Sequence, residues 1–215
     1  MNLEGNLAKG AQNLGLELSS HQTNSFLAFM RELKEWNQKF NLTAITEDPD
    51  IINKHFLDSL SLAKALQFTK QKVLDIGTGG GFPGIPLKIA FPGIHLTLVE
   101  ATKKKTTFLE HIIKALNLQN VEVIWQRAED LPDKYKNSFD IVCARAVAKL
   151  NELVKYCLPY LKPNGIFIAQ KGENIEEEIK EALPVLKEYR GIIDKKILVE
   201  IGELKRQLIV IKHAS

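Results

Sequence analysis

Apolar positions in the first part of the chain recur at helical spacing. Phe26, Phe29, Met30, Leu33, Trp36 and Phe40 step by three and four, an amphipathic stripe that needs a surface to cover. Ser19 followed by Gln22 supplies a capping box ahead of it. Asp48-Pro49 predicts a second helix start, with proline at the first helical position, and Ile51, Ile52, Phe56, Leu60 and Ala63 carry the pattern to about residue 66. Residues 1–71 are therefore expected to form a helical extension packed on the remainder of the chain.

From residue 72 the pattern changes. Short apolar runs at 73–76, 95–100, 121–126, 139–144 and 166–170 read as strands, and amphipathic stretches at 84–91, 103–117, 149–161 and 174–188 read as helices. Such alternation predicts βαβ units with right-handed crossovers and a mostly parallel sheet covered on both faces. The tail departs from it, because 192–201 and 207–211 are two strands with no helix between them and must pair antiparallel. Residues 72–215 are expected to form one compact α/β unit.

Composition excludes several classes. In 215 residues, 45% are hydrophobic and 26% charged, ordinary globular usage and neither disordered nor fibrous. The net charge of +3 is too small to announce a nucleic-acid binder, though it permits a local basic patch. Cys143 and Cys157 lie in apolar stretches without metal-ligand spacing, so neither a disulfide framework nor a metal site is expected. No apolar run reaches the roughly 18 residues of a membrane span, and the start of the chain lacks a signal-peptide core. A cytoplasmic protein, monomeric and free of membrane, is expected.

The segment Val73-Leu74-Asp75-Ile76-Gly77-Thr78-Gly79-Gly80-Gly81-Phe82-Pro83-Gly84 follows a strand and opens a helix. Glycines there let the backbone pass close to a ligand, and a helix N-terminus favours negative charge. Read from Gly77, the dinucleotide fingerprint places its last glycine on Phe82 and fails; the P-loop pattern lacks its Gly-Lys-Ser/Thr. Asp-x-Gly-x-Gly-x-Gly, from Asp75 to Gly81, fits without strain and resembles the first motif of class I S-adenosylmethionine-dependent methyltransferases. Glu100 ends the next strand, where a carboxylate can accept both hydrogen bonds of a ribose diol, and Arg127-Ala128-Glu129-Asp130 follows the third.

Further segments narrow the match. Asn41-Leu42-Thr43-Ala44-Ile45, His55-Phe56-Leu57-Asp58-Ser59-Leu60, Glu100-Ala101-Thr102-Lys103-Lys104-Lys105, Cys143-Ala144-Arg145-Ala146 and Gln170-Lys171-Gly172, with the glycine loop, resemble the bacterial small-subunit ribosomal RNA methyltransferase G family, also called glucose-inhibited division protein B. The resemblance spans nearly the whole chain. It implies the class I fold, a seven-stranded sheet with an antiparallel C-terminal strand. It also implies methylation of N7 of a guanine in a decoding-site loop of 16S rRNA, on the small ribosomal subunit, with S-adenosylmethionine as donor. By the same resemblance Gly77, Gly79, Phe82, Glu100, Ala101, Thr102, Ala128, Glu129 and Arg145 surround the cofactor.

That chemistry needs no general base, since N7 already carries a lone pair; the catalytic task is placement of the acceptor in line with the leaving sulfur. Arg145 and Lys171 follow the fourth and fifth strands and are candidates to grip phosphate or guanine, with surface ion pairing as the alternative. His55 and Ser59 share a helix face and are expected to touch cofactor or substrate, or to be structural. A hydrolase triad of His55, Asp58 and Ser59 fails because Asp58 and Ser59 point in different directions. A nucleophilic Cys143 would suit cytosine-C5 methylation, but a buried small hydrophobe explains it better. A nicotinamide-dependent oxidoreductase, and a ribosome-binding protein with a vestigial cofactor site, are the competing readings. Lys103, Lys104 and Lys105 open a helix against its dipole, for RNA phosphate or as a solvated face, and Trp36 and Trp125 are expected in the core.

Overall fold

The computed structural model describes residues 2–214. Seven strands form one sheet: β1 Lys72–Ile76, β2 His95–Glu100, β3 Val121–Trp125, β4 Phe139–Arg145, β5 Leu161–Lys171, β6 Gly191–Ile201 and β7 Leu204–His213. Their order is β3-β2-β1-β4-β5-β7-β6. The β1–β2, β1–β4, β2–β3 and β4–β5 pairs are parallel, whereas β7 runs antiparallel to both β5 and β6. The two tail strands thus pair as their patterning requires. Strand order reverses between β1 and β4, which opens the crevice where such sheets hold ligands.

Side chains alternate across the sheet with period two. Val73, Leu96, Leu98, Ile141 and Cys143 face one layer, built from the helices Gly84–Ala90 and Lys103–Ala115 together with the N-terminal helices. Leu74, Ile76, Val99, Val142 and Ala144 face the other, built from the helices Leu150–Cys157 and Glu176–Glu188. The stripe on the helix Ser20–Phe40 covers the first layer: Phe26, Phe29, Met30 and Leu33 are buried there, and Trp36 and Phe40 pack at its edge. Each such buried side chain contributes about 1.5–3 kcal/mol by leaving water.

The capping box forms, with Gln22 N–H donating to Ser19 Oγ at 3.2 Å and Ser19 N–H to Gln22 Oε1 at 2.9 Å. Gln22 also reaches across the layer. Its Nε2 donates to the carbonyls of Ile89 and Ala90 at 3.1 and 2.8 Å, closing the end of the helix that the glycine loop opens.

Some expectations need correction. A helix at Leu3–Asn13, capped by Asn2, precedes the stripe; its Leu7 and Ala11 are buried, but its glycines and asparagines mask the period. The predicted helix from Asp48 is continuous but widened, passing through a π-helical stretch, Ile51–Leu57, and ending as the tight turn Ser61–Lys64. β5 starts at Leu161, before the predicted 166, because Pro163, Asn164 and Gly165 read as a turn while the chain passes an irregularity in the β4–β5 register. Trp125 is not in the core: it is 57% exposed at the end of β3, an edge strand, with its indole N–H donating to the Ala101 carbonyl at 2.8 Å.

Candidate active site

β1 delivers Asp75 to the buried side of the glycine loop. Its Oδ2 accepts from Thr78 Oγ1 at 2.6 Å and from Gly84 N–H at 2.8 Å, tying strand, loop and helix N-terminus together. Oδ1 has no hydrogen-bond partner, and burial pushes the carboxyl up to about 6 against the pull of Thr78 and Gly84. The loop turns back sharply, and Gly77 takes φ of +67°, where a side chain is strained. A Cβ at Gly77 would also lie 2.6 Å from Val147 Cγ2, so the loop passes hard against the β4 exit there.

Glu100, at the end of β2, is fixed beside that loop. Its Oε2 accepts from Gly79 N–H at 2.9 Å and its Oε1 from Thr102 N–H at 2.7 Å. An ionised carboxylate has about four acceptor positions, so two remain for further donors. Between β1, β2 and the β3 exit lies a cleft of about 260 Å³ lined by Gly77, Glu100, Ala101, Ala128, Glu129 and Val147, with Tyr156 at its edge. A larger hollow of about 710 Å³, around Pro163 and Lys212, sits at the opposite edge of the sheet, away from the carboxyl ends where α/β sheets bind ligands.

The expected cofactor residues therefore divide. Gly77, Glu100, Ala101, Ala128 and Glu129 line the cleft, and Gly79 and Thr102 hold Glu100 through their amides. Neither Phe82 nor Arg145 lines it. Phe82 is buried behind the loop, stacked on Phe29 at 5.3 Å and on His55 at 4.2 Å between ring centroids. Val147 and Tyr156, which carry no motif that singles them out, complete the wall.

Beyond β4 the chain builds a polar network. Arg145 donates through Nη1 to Asp58 Oδ2 at 2.8 Å and to the Lys54 carbonyl at 3.0 Å, and through Nη2 to His55 Nδ1 at 3.1 Å. Its guanidinium also lies 5.1 Å from the Phe82 ring centre. With Nδ1 accepting, His55 must carry its proton on Nε2, which meets Thr43 Oγ1 at 2.8 Å. Burial, reinforced by the Arg145 charge, brings His55 down to about 3, so the ring is neutral at physiological pH with both nitrogens engaged.

Two expected substrate residues have protein partners in this structure. Ser59 is fully buried, and its hydroxyl donates to the His55 carbonyl at 2.6 Å, the back-bond a short side chain makes inside a helix. The Lys171 ammonium is held by Glu178 at 2.5 Å and by the Ala148 carbonyl at 2.6 Å, so it fastens the loop after β4. Cys143 is buried under the sheet, its thiol 3.6 Å from the Leu74 carbonyl and pushed up by burial, which removes the nucleophile reading. Lys103 lies over the exposed Trp125 ring, 4.8 Å from its centre.

The sheet order, the glycine turn after β1 and the carboxylate ending β2 define a class I methyltransferase fold. Solved structures agree: YcgJ of Bacillus subtilis superposes with a TM-score of 0.59 at 17% identity, covering 75% of this chain and 100% of that one. A ribosomal protein L11 methylase of Lactobacillus delbrueckii superposes with a TM-score of 0.58 at 17% identity, covering 75% and 79%. Sequence relatives then narrow the class. The family model described as rRNA small subunit methyltransferase G matches residues 22–207, and the chain belongs to that family. Proteins named ribosomal RNA small subunit methyltransferase G are 47% identical in Caldanaerobacter subterraneus, over 97% of this chain and 89% of theirs, and 43% identical in Alkaliphilus oremlandii, over 99% and 91%.

Proposed function

We propose that this chain transfers a methyl group from S-adenosylmethionine to N7 of a guanine in a decoding-site loop of 16S rRNA, acting in the cytoplasm on the small ribosomal subunit. Support for the cofactor comes from Glu100, held by Gly79 and Thr102 with acceptor positions to spare at the rim of the cleft. When bound, S-adenosylmethionine supplies an electrophilic methyl carbon on a sulfonium. Glu100 would accept its ribose hydroxyls, the loop at Gly77 would pass against it, and Ala128 and Glu129 would flank the base.

The observation that carries the acceptor assignment, beside family membership, is His55. The one imidazole in this network has one nitrogen taken by Arg145 and the other by Thr43, and burial beside the Arg145 charge lowers its basicity, so it is unsuited to remove a proton. A ring nitrogen that already presents a lone pair is the acceptor such a site can serve, through proximity and alignment alone. No helix among the described residues is long and apolar enough to cross a membrane. The test is transfer of labelled methyl to small ribosomal subunits from a strain lacking the gene. Label at guanine N7 is expected, and label in protein or small molecules instead would defeat the proposal.

A further inference from the structure

Asp58 lies fully buried at the centre of the network, and two guanidiniums share it. Arg145 takes Oδ2, while Oδ1 accepts from Arg206 Nε at 3.0 Å and from Gln170 Nε2 at 2.8 Å. Arg206 is the second residue after Leu204 in β7, and its neighbour Gln207 pairs with Lys171 at the end of β5. Its guanidinium is therefore set at the same carboxyl edge as Arg145, two strands across the sheet.

Donor accounting separates the two arginines. Arg145 has spent both terminal amino groups on Lys54, Asp58 and His55, and its side chain is only 13% exposed. Arg206 uses only Nε; among the described residues no protein group accepts from Nη1 or Nη2, and its side chain is 27% exposed. Arg206 thus shares the buried Asp58 carboxylate with Arg145 while its two terminal amino groups stay free at the partly exposed rim of the network. A guanidinium held by its inner edge presents a planar two-pronged fork outward, the geometry that matches phosphate oxygens.

We infer that Arg206 grips a phosphodiester of the substrate RNA and that Asp58 is the positioning residue that aims it. This rests on the reading of the chain as an RNA methyltransferase. An anchored arginine gives the acceptor strand a fixed point beside the cleft, as phosphate contacts set register without reading sequence.

The test compares Arg206→Ala, Arg206→Lys and Asp58→Asn with the unaltered protein on small subunits lacking the methyl group. Arg206→Ala is expected to raise KM for subunits about ten-fold. Its kcat and its affinity for S-adenosylhomocysteine should stay near those of the unaltered protein. The salt dependence of subunit binding should become shallower by about one phosphate contact, with Arg206→Lys recovering part of both effects. Asp58→Asn should raise KM similarly, and if it fails to fold the Arg206 variants decide alone. Unchanged KM and salt slope in Arg206→Ala would overturn the inference, as would a fall in kcat with the slope unchanged, the mark of a base contact. If the unaltered protein fails to methylate subunits, it is the underlying reading that fails.

Discussion

The imidazole of His55 lies flat on the ring of Phe82, with centroids 4.2 Å apart and planes 9° apart. One ring comes from the N-terminal helices and the other from the glycine loop, so the stack fixes the extension against the segment that shapes the cleft. Aromatic pairs of this kind add about 0.5–1.5 kcal/mol beyond area burial.

Burial of this ring makes stability depend on acidity. His55 falls from 6.5 to about 3 on folding, so below pH 6.5 the unfolded chain takes up a proton that the folded chain refuses. Its contribution is constant above pH 6.5 and turns against the fold as pH drops toward 3, reaching about 2 kcal/mol by pH 5. Asp75, raised to about 6, acts in the opposite sense, because the folded state keeps a proton that the unfolded chain releases. Comparison with His55→Asn cancels that second effect. Urea melts at pH 7 and pH 5 should show the unaltered protein losing about 2 kcal/mol more than the variant; parallel losses would refute the burial of a neutral ring.

Gly77 is required for two separate reasons, a φ of +67° and a Cβ position 2.6 Å from Val147. An alanine there costs about 1–2 kcal/mol in backbone strain and must displace Val147 from the cleft wall. Gly77→Ala is expected to remain folded by circular dichroism and to lose binding of S-adenosylhomocysteine in calorimetry. It should still bind small subunits, since the phosphate contact proposed at Arg206 lies across the sheet. Cofactor binding at the unaltered strength would show that the turn does not shape the site.

Legibility in the sequence followed physical range. The seven strands and the antiparallel tail were readable because apolar period and turn chemistry are local, and Glu100 because a strand's end is a position along the chain. The Asp58 network was not. Asp58, Arg145, Gln170 and Arg206 come from four separated segments, and although Arg145 stands out on its own, nothing local says that the four side chains meet. Ser59 and Lys171 show the converse limit: spacing puts a residue on a face but does not say whether a nearer partner, here the His55 carbonyl or Glu178, engages its polar atom.

Ser59 offers a direct check on that limit. Its hydroxyl serves only its own helix, so Ser59→Ala removes one neutral hydrogen bond and costs about 0.5–1.5 kcal/mol. Methylation kinetics are expected to stay within about two-fold, less than the roughly ten-fold expected for one lost charge-assisted contact. A ten-fold rise in KM would return Ser59 to the substrate site.

Two aromatic residues that look alike in sequence should behave oppositely. Phe29 is fully buried and stacks on Phe56, Phe82 and Phe108, so truncation empties the junction between the N-terminal helices and the sheet layer. Phe29→Ala should cost about 3–5 kcal/mol. Trp125 is 57% exposed and keeps only the Ala101 hydrogen bond and the Lys103 ammonium over its ring. Trp125→Ala should cost about 1 kcal/mol, one exposed cation–π contact and one neutral hydrogen bond. Denaturant midpoints with unchanged slopes measure both. A Trp125 penalty as large as that of Phe29 would restore it to the core and place the outer face of β3 against another part of the protein.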